Sequence, residues 1–565
     1  MGGETDGAQV LRCKATIGRN GIWPTGPNET GLPRPVRATP IIHPMNPTRF
    51  VHVALILSAS LALSRPSPAA TPTLAARLNE VIDGPDYKHA HWGLLLVDQE
   101  NGVVLHEHNA DKLFAPASTT KLYTVASALD TFGSEHRFET PVYRRGKLST
   151  TGELTGDLIL VAQGDLTLGG RAGADGRIVF KDVDHTYANG STLGELTEPD
   201  PLAGLNDLAR QVAAAGVKRL RGDVLIDDRL FDKAESTGSG PSQLTAIVVN
   251  DNVIDFLITP GAAGAPATVD WRPKTSAITV DAKVETSVSG QDPRIQITAP
   301  APGRIVVRGR VAIGSKPLLR VAEVPDAAAF ARALFIEALG RAGVAVDASP
   351  LAANRGELLP ARDNYQASER VAHLTSAPFR EEAKLILKVS HNLHASTLPL
   401  LVAAKNGRRT LADGLHLQHD FLARARIDVD TISFGGGAGG ARSDYTTPRA
   451  TVQLLRYMTT RPDFAVYESA LPVIGVDGTL ASVVDPNSPA RGKVHAKTGT
   501  LSWENTMNGR FLLTSKALAG YMTTSTGRKL TFAMFVNLTH LNKGSDTVRE
   551  GRTLGRLCEI IYDGL

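Results

Sequence analysis

Apolar residues recur at helical spacing after a proline-marked turn near residue 116. They lie three and four positions apart (Leu122, Val125, Ala126, Leu129), which places them on one face of an α-helix. Pro116 before this pattern and Gly133 after it are typical of the start and the end of a helix. The pattern predicts an amphipathic helix with Ser118 in its first turn, where the helix dipole favours a developing negative charge.

Strand patterns dominate the last quarter of the chain. Residues 518–524 and 530–536 are apolar runs that flank the turn residues 525–528, and together they predict an antiparallel hairpin. Residues 494–501 predict a strand that ends in a bend at Gly499.

The middle of the chain is predicted to be β-rich. Short β-branched runs at 278–280, 295–298 and 304–311 are separated by Gly, Asp and Pro, as in short strands joined by tight loops. The apolar stretch 385–389 predicts a helix that leads into a loop at residue 390.

The first 70 residues differ from the rest. A length of 565 residues predicts two to four domains. Residues 1–44 form a leader that we interpret as disordered or as a mis-assigned start, with the true start at Met45. Residues 45–70 combine a basic start, an apolar run at 50–63 and a small-residue exit. This is the pattern of a secretory signal peptide, and it predicts export across the inner membrane to the periplasm or the cell wall, with peripheral membrane association left open.

Charge and cysteine content fit this interpretation. The formal net charge is +4, and residues 1–70 contain seven Lys/Arg and three Asp/Glu, so the remainder has 4 − (7 − 3) = 0. Without a basic patch, no nucleic-acid partner is predicted. Cys558 is the one cysteine after residue 70, so no disulfide forms within the mature chain, and its apolar surroundings predict a buried packing residue.

Three short motifs carry the candidate chemistry. They are Ser118-Thr119-Thr120-Lys121, Ser390-His391-Asn392 and Lys497-Thr498-Gly499. A serine hydroxyl is a weak nucleophile until a base takes its proton. Lys121 lies one helical turn from Ser118 on the same face, and as a neutral amine it is a suitable base. Each motif alone is common, but the ordered set predicts a serine acyl-transfer site with a lysine base.

These residues also carry a family resemblance. The segments 109–111, 114–121, 390–393 and 497–500 resemble penicillin-binding proteins and serine β-lactamases. Further segments resemble the D-alanyl-D-alanine carboxypeptidase/endopeptidases of the low-molecular-mass class C (DacB-like) type; these are 156–160, 164–168, 222–227 and 471–480.

The resemblance implies the fold and the domain organisation. The 272 positions between Ser118 and Ser390 exceed what a compact catalytic domain needs. We therefore expect an α+β fold in which a split catalytic domain, 75–145 and 366–565, has an antiparallel sheet flanked by helices. Residues 146–365, called the inserted block below, would form one or more β-rich domains, with room for a nested subdomain.

The resemblance also implies the roles of the site residues. The substrate would be a peptidoglycan stem peptide ending in D-Ala-D-Ala, and β-lactams would inhibit by acylating Ser118. Lys121 would be the base, Ser390 a proton relay, Asn392 a ligand of the substrate amide, and Lys497 the source of positive field. Thr498, Gly499 and Thr500 would bind the substrate, and the N–H groups of Ser118 and Thr500 would form the oxyanion hole.

Other patterns are weaker. The glycine-rich stretch 435–440 lacks the Lys-Ser/Thr of a phosphate-binding loop, and we expect no catalytic role for it. Histidine pairs at 106/108, 391/394 and 416/419 have spacings that suit a metal, but we predict no metal and no cofactor. His391 is expected to affect the pH dependence of the site, because the ordinary pKa of histidine is about 6.5.

The sequence leaves alternatives open. A β-lactamase or esterase on the same catalytic domain, and a non-catalytic wall-binding or β-lactam-sensing protein, are the main rivals. Carboxypeptidase, endopeptidase and transpeptidase activities use the same residues, so the motifs do not rank them. Oligomeric state is likewise not determined.

Overall fold

The computed structural model describes residues 72–362 and 364–565. The predicted leader, 1–44, and the predicted signal peptide, 45–70, lie outside the described residues. Across the part that is described, no helix combines the length and the apolar character that crossing a membrane requires.

The described chain contains long runs of strands, such as β5 to β14, and long runs of helices, such as α5 to α9. The helices are α1 Leu74–Ile82, α2 Thr120–Phe132, α3 Ala203–Ala214, α4 Ala327–Arg341, α5 Phe379–Lys388, α6 Asn392–Lys405, α7 Leu411–Arg424, α8 Pro448–Met458, α9 Phe464–Ser469 and α10 Thr547–Gly564. The strands are β1 His91–Asp98, β2 Val104–His108, β3 Glu139–Leu148, β4 Glu153–Val161, β5 Arg219–Arg221, β6 Val224–Asp227, β7 Ala234–Glu235, β8 Gln243–Leu244, β9 Val253–Thr259, β10 Thr268–Arg272, β11 Thr279–Ser287, β12 Arg294–Ala301, β13 Arg304–Ala312, β14 Leu318–Glu323, β15 Ala345–Val346, β16 Arg370–Thr375, β17 Val494–Asn505, β18 Arg510–Thr523, β19 Lys529–Asn537 and β20 Thr539–Leu541.

The principal sheet joins both ends of the described chain. Its strand order is β17-β18-β19-β1-β2, with β20 beside β18, and neighbouring strands are antiparallel. Leu94 and Leu96 of β1 face one apolar cluster with α1 and α10, whereas Leu95 and Val97 face the other. Because both faces are covered, β1 and β19 are apolar almost without interruption rather than alternating. The predicted α+β fold is therefore confirmed.

Two local sequence predictions fall in this sheet, of which one is confirmed and one is wrong. The hairpin of β18 and β19 is confirmed, with its turn closed by the N–H of Thr524 donating to the carbonyl of Arg528. The bend predicted at Gly499 is wrong, because β17 continues to Asn505 and Gly499 pairs with Ala517.

The inserted block contains its own sheets. The largest has the order β15-β5-β4-β3-β16, with β6 also paired to β4, and α3 and α4 contribute buried apolar residues to its core. Two three-stranded sheets follow, β10-β9-β14 and β11-β13-β12. The runs at 278–280, 295–298 and 304–311 lie in or beside β11, β12 and β13, so the β-rich prediction is confirmed.

The boundaries of the inserted block stay a prediction. β3 pairs with β16 from Glu139 with Thr375 to Tyr143 with Arg370. This sheet therefore uses residues on both sides of the predicted boundaries at 145/146 and 365/366. Strand pairing favours boundaries further out, near Gly133 and Pro378, where the chain enters β3 after α2 and leaves β16 before α5.

Candidate active site

Ser118 lies on a tight turn that leads into α2. The turn spans Ala117–Thr119, and Ala117 has a left-handed backbone with φ of 46°. Strand β17 packs directly against this turn, because a β-carbon on Gly499 would lie 2.5 Å from the carbonyl oxygen of Pro116. Glycine at 499 thus permits the close approach, and Ser118 itself stays half-buried, within reach of a substrate.

Lys121 is fully buried beneath Ser118. Its Nζ lies 2.8 Å from Oγ of Ser118, 2.7 Å from Oδ1 of Asn392 and 2.8 Å from the carbonyl oxygen of Ala438. Burial, followed by the positive charge of Lys497, holds the pKa of Lys121 well below its ordinary value. A neutral amine at hydrogen-bond distance from a serine hydroxyl has the geometry and the protonation state of a general base.

Lys497 is a second buried lysine in the same cleft. It projects from β17, and its Nζ donates to Oγ of Ser390 at 2.9 Å and to the carbonyl of Thr498 at 2.8 Å. Burial, and then the charge of Lys516, lower the pKa of Lys497 to about 7. Lys516 in turn donates to Oγ1 of Thr500 at 2.9 Å, and burial lowers its pKa to about 8.

The Ser390–Asn392 turn connects α5 to α6. Ser390 has a left-handed backbone with φ of 66°, and Asn392 is the first residue of α6. The amide of Asn392 accepts from Lys121 and donates through Nδ2 to Oγ of Ser239 at 2.9 Å. One turn therefore supplies a partner to each of the two buried lysines.

The backbone of β17 forms the open edge of the principal sheet. The N–H of Ala496 and the carbonyl of Val494 bond to Pro472 and Ile474, away from β18. Backbone groups alternate in direction along an antiparallel strand, so the N–H groups of Thr498 and Thr500 also point away from β18 into the cleft. Oγ1 of Thr498 donates to Oγ1 of Thr479 at 2.7 Å.

The structure brings the sequence-predicted site residues into one cleft. The contacts run from Ser118 through Lys121 to Asn392, and from Ser390 through Lys497 to Thr498 and its neighbours Gly499 and Thr500. Their individual catalytic and binding roles stay predictions.

The glycine-rich loop contributes more than its sequence indicated. The carbonyl of Ala438 accepts from Lys121, and Asp444 closes the loop by accepting from the N–H groups of Gly435 and Ala441 at 2.8 Å each. Burial raises the pKa of Asp444 to about 6. The glycine-rich loop thus contacts the candidate base through its backbone.

Two further residues of the cleft, Ser239 and Lys516, have no local sequence pattern that indicates their position. Ser239 lies on the tip of the β7–β8 hairpin of the inserted block, in an ordinary Gly/Ser-rich stretch. Lys516 lies opposite Thr500 in the pairing of β17 with β18. Knowledge of this strand register would place the lysine beside the cleft.

Of the three histidine pairs, the one at 391 and 394 lies in a buried cluster of charged side chains. His391 and His394 join His185, Asp184 and Asp251 in groups of potential metal ligands. The guanidinium of Arg171 reaches into the same groups, 2.6 Å from Asp251 and 2.8 Å from Asp184. Burial lowers the pKa of His391, which favours the neutral imidazole. Its effect on the pH dependence of the site stays a prediction. The prediction of no metal stays a prediction.

Comparisons with known proteins agree with this geometry. The chain is 28% identical over 480 residues to D-alanyl-D-alanine carboxypeptidase of Actinomadura sp. strain R39, which covers 80% of this chain and 81% of the relative. It is 24% identical over 466 residues to D-alanyl-D-alanine carboxypeptidase DacB of Haemophilus influenzae, which covers 79% of this chain and 85% of the relative.

The fold is that of a solved penicillin-binding protein. The crystal structure of penicillin-binding protein 4 (DacB) from H. influenzae superposes with a TM-score of 0.62 at 21% identity, covering 85% of this chain and 98% of that protein. The family model described as D-Ala-D-Ala carboxypeptidase 3 (S13) matches residues 74–553, which include all three motifs and the inserted block. The chain therefore belongs to the D-Ala-D-Ala carboxypeptidase 3 (S13) family.

Proposed function

We propose that this chain is a serine D-Ala-D-Ala carboxypeptidase that acts on peptidoglycan stem peptides through an acyl-enzyme on Ser118. The observation that carries the proposal is the buried contact of 2.8 Å between Nζ of Lys121 and Oγ of Ser118. Family membership and the names of the two relatives support the substrate class.

The acylation step follows from the cleft. Lys121, neutral because it is buried beside Lys497, takes the hydroxyl proton as Ser118 attacks the penultimate carbonyl carbon. The N–H groups of Ser118 and Thr500 stabilise the resulting oxyanion, an interaction worth about 3 kcal/mol per donor. The tetrahedral intermediate collapses and the C–N bond breaks. The proton that Lys121 took from Ser118 passes through the hydroxyl of Ser390 to the departing D-alanine amine, which leaves Lys121 neutral and Ser390 protonated.

Substrate binding uses the other side of the cleft. Asn392 accepts from Lys121, and we assign to the same amide a hydrogen bond to the substrate backbone. Lys497 attracts the terminal carboxylate, which the hydroxyls of Thr498 and Thr500 bind, while Gly499 lets β17 lie close to the turn before Ser118. Water then attacks the ester carbonyl with Lys121 again as base, and it releases the shortened peptide.

The test uses the mature chain with two substrates and a β-lactam. We expect release of D-alanine from a D-Ala-D-Ala pentapeptide and a persistent one-to-one benzylpenicillin adduct by intact mass. A cross-linked muropeptide dimer added in parallel measures the endopeptidase activity that the same residues allow. Rapid return to the free mass with consumed drug would instead indicate a β-lactamase, and no adduct with no turnover would indicate a binding protein.

Lys516 makes a pH prediction for this site. Lys497 loses its charge, and its hold on the substrate carboxylate, as the pH rises through its pKa of about 7. Lys516→Met removes the neighbouring positive charge, so the pKa of Lys497 rises. We expect the alkaline limb of kcat/KM for a carboxylate-ending peptide to move to higher pH. Lys529→Met, an exposed change on β19, is the control, and a limb that stays in place in Lys516→Met would contradict the assignment.

We also propose that the chain is exported and works in the periplasm or against the cell wall. The proposal rests on the signal-like pattern at 45–70 and on membership of the D-Ala-D-Ala carboxypeptidase 3 (S13) family. N-terminal sequencing of the protein from cell fractions tests it: the expected mature start lies just after residue 70 in an extracytoplasmic fraction, whereas an uncleaved chain in the cytosol would contradict it.

A further inference from the structure

A buried cluster of charged side chains joins the inserted block to the Ser390–Asn392 turn. The inserted block contributes six residues, and helix α5, the turn and helix α6 contribute one each; the members are Arg171, Asp184, His185, Asp251, Asp255, Arg272, Glu382, His391 and His394. We call this set the Asp251 cluster. Nothing in the acyl-transfer steps above uses it, although His391 is the middle residue of the second motif.

Asp251 is the residue that links the two sides. Its Oδ2 lies 2.7 Å from Nε2 of His185 and 2.6 Å from Nη2 of Arg171, both of the inserted block. Its Oδ1 lies 2.7 Å from Nε2 of His394 and 3.5 Å from Nε2 of His391, both beside the turn. One carboxylate therefore connects the inserted block to the start of α6.

The hydrogen bonds fix the charge of two histidines. In His185, Nδ1 lies 2.6 Å from Asp255 and Nε2 contacts Asp251. In His394, Nδ1 lies 2.6 Å from Glu382 and Nε2 contacts Asp251. Ionised carboxylates only accept, so each ring must carry both protons. Burial opposes the charge, but the carboxylates outweigh it and raise the pKa of His185 to about 10 and of His394 to about 9.

The charges of the cluster balance. Four cations, Arg171, Arg272, His185 and His394, face four carboxylates, Asp184, Asp251, Asp255 and Glu382, with His391 neutral among them. A buried ion network is stable only while each member is paired, and losing one partner leaves an uncompensated charge. The cluster thus holds its two sides in a fixed relation.

The backbone around Asp251 has a conformation that directs its carboxylate into the cluster. Asn250, Asp251 and Asn252 all have left-handed backbones, with φ of 50°, 51° and 53°, a conformation in which residues other than glycine are uncommon. The side chain of Asn250 donates to the carbonyl of Val253, and that of Asn252 donates to the carbonyl of Ile247. Contacts within the inserted block therefore fix the position of the Asp251 carboxylate independently of the Ser390–Asn392 turn.

Ser390 needs such support. Its left-handed backbone, with φ of 66°, is unfavourable for a residue with a β-carbon, and strained residues persist where their surroundings hold them. His391 follows it directly and His394 lies four positions later, and the hydroxyl of Tyr187, two residues from His185, donates to the Ser390 carbonyl. This conformation is the one in which Oγ of Ser390 accepts from Lys497.

We infer that Asp251 is a positioning residue for acyl transfer, which holds the Ser390–Asn392 turn so that Ser390 and Asn392 meet Lys497 and Lys121. The inference rests on the proposed function of the same cleft. It also gives the inserted block a role in catalysis, since a residue of that block completes the geometry of the second motif without touching substrate.

The test compares two aspartate-to-asparagine changes in the inserted block. Asp251→Asn keeps the shape and suits the left-handed backbone, but it removes the charge shared by His185, His394 and Arg171. We expect its acylation rate by benzylpenicillin, and its kcat with the pentapeptide, to fall about 10- to 100-fold, with KM changed less than kcat. Asp223→Asn is the matched control, because Asp223 is equally buried and is bonded to Arg332 and Arg355, neither of which belongs to the Asp251 cluster.

A double-mutant cycle separates positioning from general loss of stability. If Asp251 acts through the turn, Asp251→Asn slows acylation much less in the Ser390→Ala background than in the wild type. An unrelated structural effect would slow acylation equally in both backgrounds. If Asp251→Asn fails to fold, His394→Gln takes its place in the cycle, since it removes the cation that joins Asp251 to α6.

The outcomes are distinct. Loss in Asp251→Asn but not in Asp223→Asn, with a reduced effect in the Ser390→Ala background, supports the inference. Equal rates in the two asparagine variants, or an undiminished effect in that background, would overturn it while the proposed function stands. A wild type that benzylpenicillin does not acylate would overturn both.

Discussion

Ser118→Ala is expected to form no benzylpenicillin adduct and to lose peptide hydrolysis by at least about 10⁴-fold, because no other group replaces a missing nucleophile. In the structure Oγ of Ser118 lies at hydrogen-bond distance from the buried amine of Lys121, at the start of α2. Intact mass after incubation with drug, and D-alanine release from the pentapeptide, measure the two losses.

A hydroxyl elsewhere on the same helix provides the control. Thr131 lies near the end of α2 and donates to the carbonyl of Ser127 at 2.9 Å, away from the cleft. Thr131→Ala should therefore acylate at the wild-type rate. A full adduct on Ser118→Ala would show that another residue is the nucleophile and would remove the basis of the proposed mechanism.

The motif residues could be predicted because their spacing is local. Lys121 reaches Ser118 within one helical turn. In the structure Pro116 precedes the turn Ala117–Thr119 that leads into the helix, and Gly133 ends the helix. Gly133 ends α2 with φ of 78°, as a helix-terminating glycine does. Likewise, the hairpin of β18 and β19 follows from two apolar runs and the turn between them.

The residues that support the motifs could not be predicted in this way. Ser239 contacts Asn392 across 153 positions and Asp251 contacts His394 across 143, and neither lies in a pattern that differs from an ordinary loop. Such contacts depend on how the inserted block packs on α5 and α6. The local pattern carries information on period and turns, but not on which distant segment faces which.

The error at Gly499 has the same origin. A glycine between a strand and a polar segment is typical of a bend, yet this one lies inside β17 and faces the carbonyl of Pro116. Its glycine is required by a neighbour nearly 400 positions earlier in the chain. The glycine-rich loop likewise has no reactive side chain to indicate a role, because its contact with Lys121 is made by a backbone carbonyl.

Lys121→Met is expected to slow acylation by about 10²- to 10⁴-fold, the usual contribution of a general base. Methionine is similar in shape and apolar, so it fills the space beneath Ser118 without taking a proton. Stopped-flow acylation by benzylpenicillin measures the rate. We expect a modest fall in melting temperature, because methionine leaves Oδ1 of Asn392 and the Ala438 carbonyl without the donor that Lys121 supplies.

Lys121→Arg distinguishes a base from a fixed cation at this position. A guanidinium remains charged in proteins, so it retains the positive charge but accepts no proton from Ser118. If Lys121 acts as the base, the arginine variant should be as slow as the methionine variant. If Lys121 instead served as a cation that orders Asn392 and the Ala438 carbonyl, Lys121→Arg would keep much of the rate that Lys121→Met loses. Since burial and Lys497 both favour the neutral amine, we expect the first result.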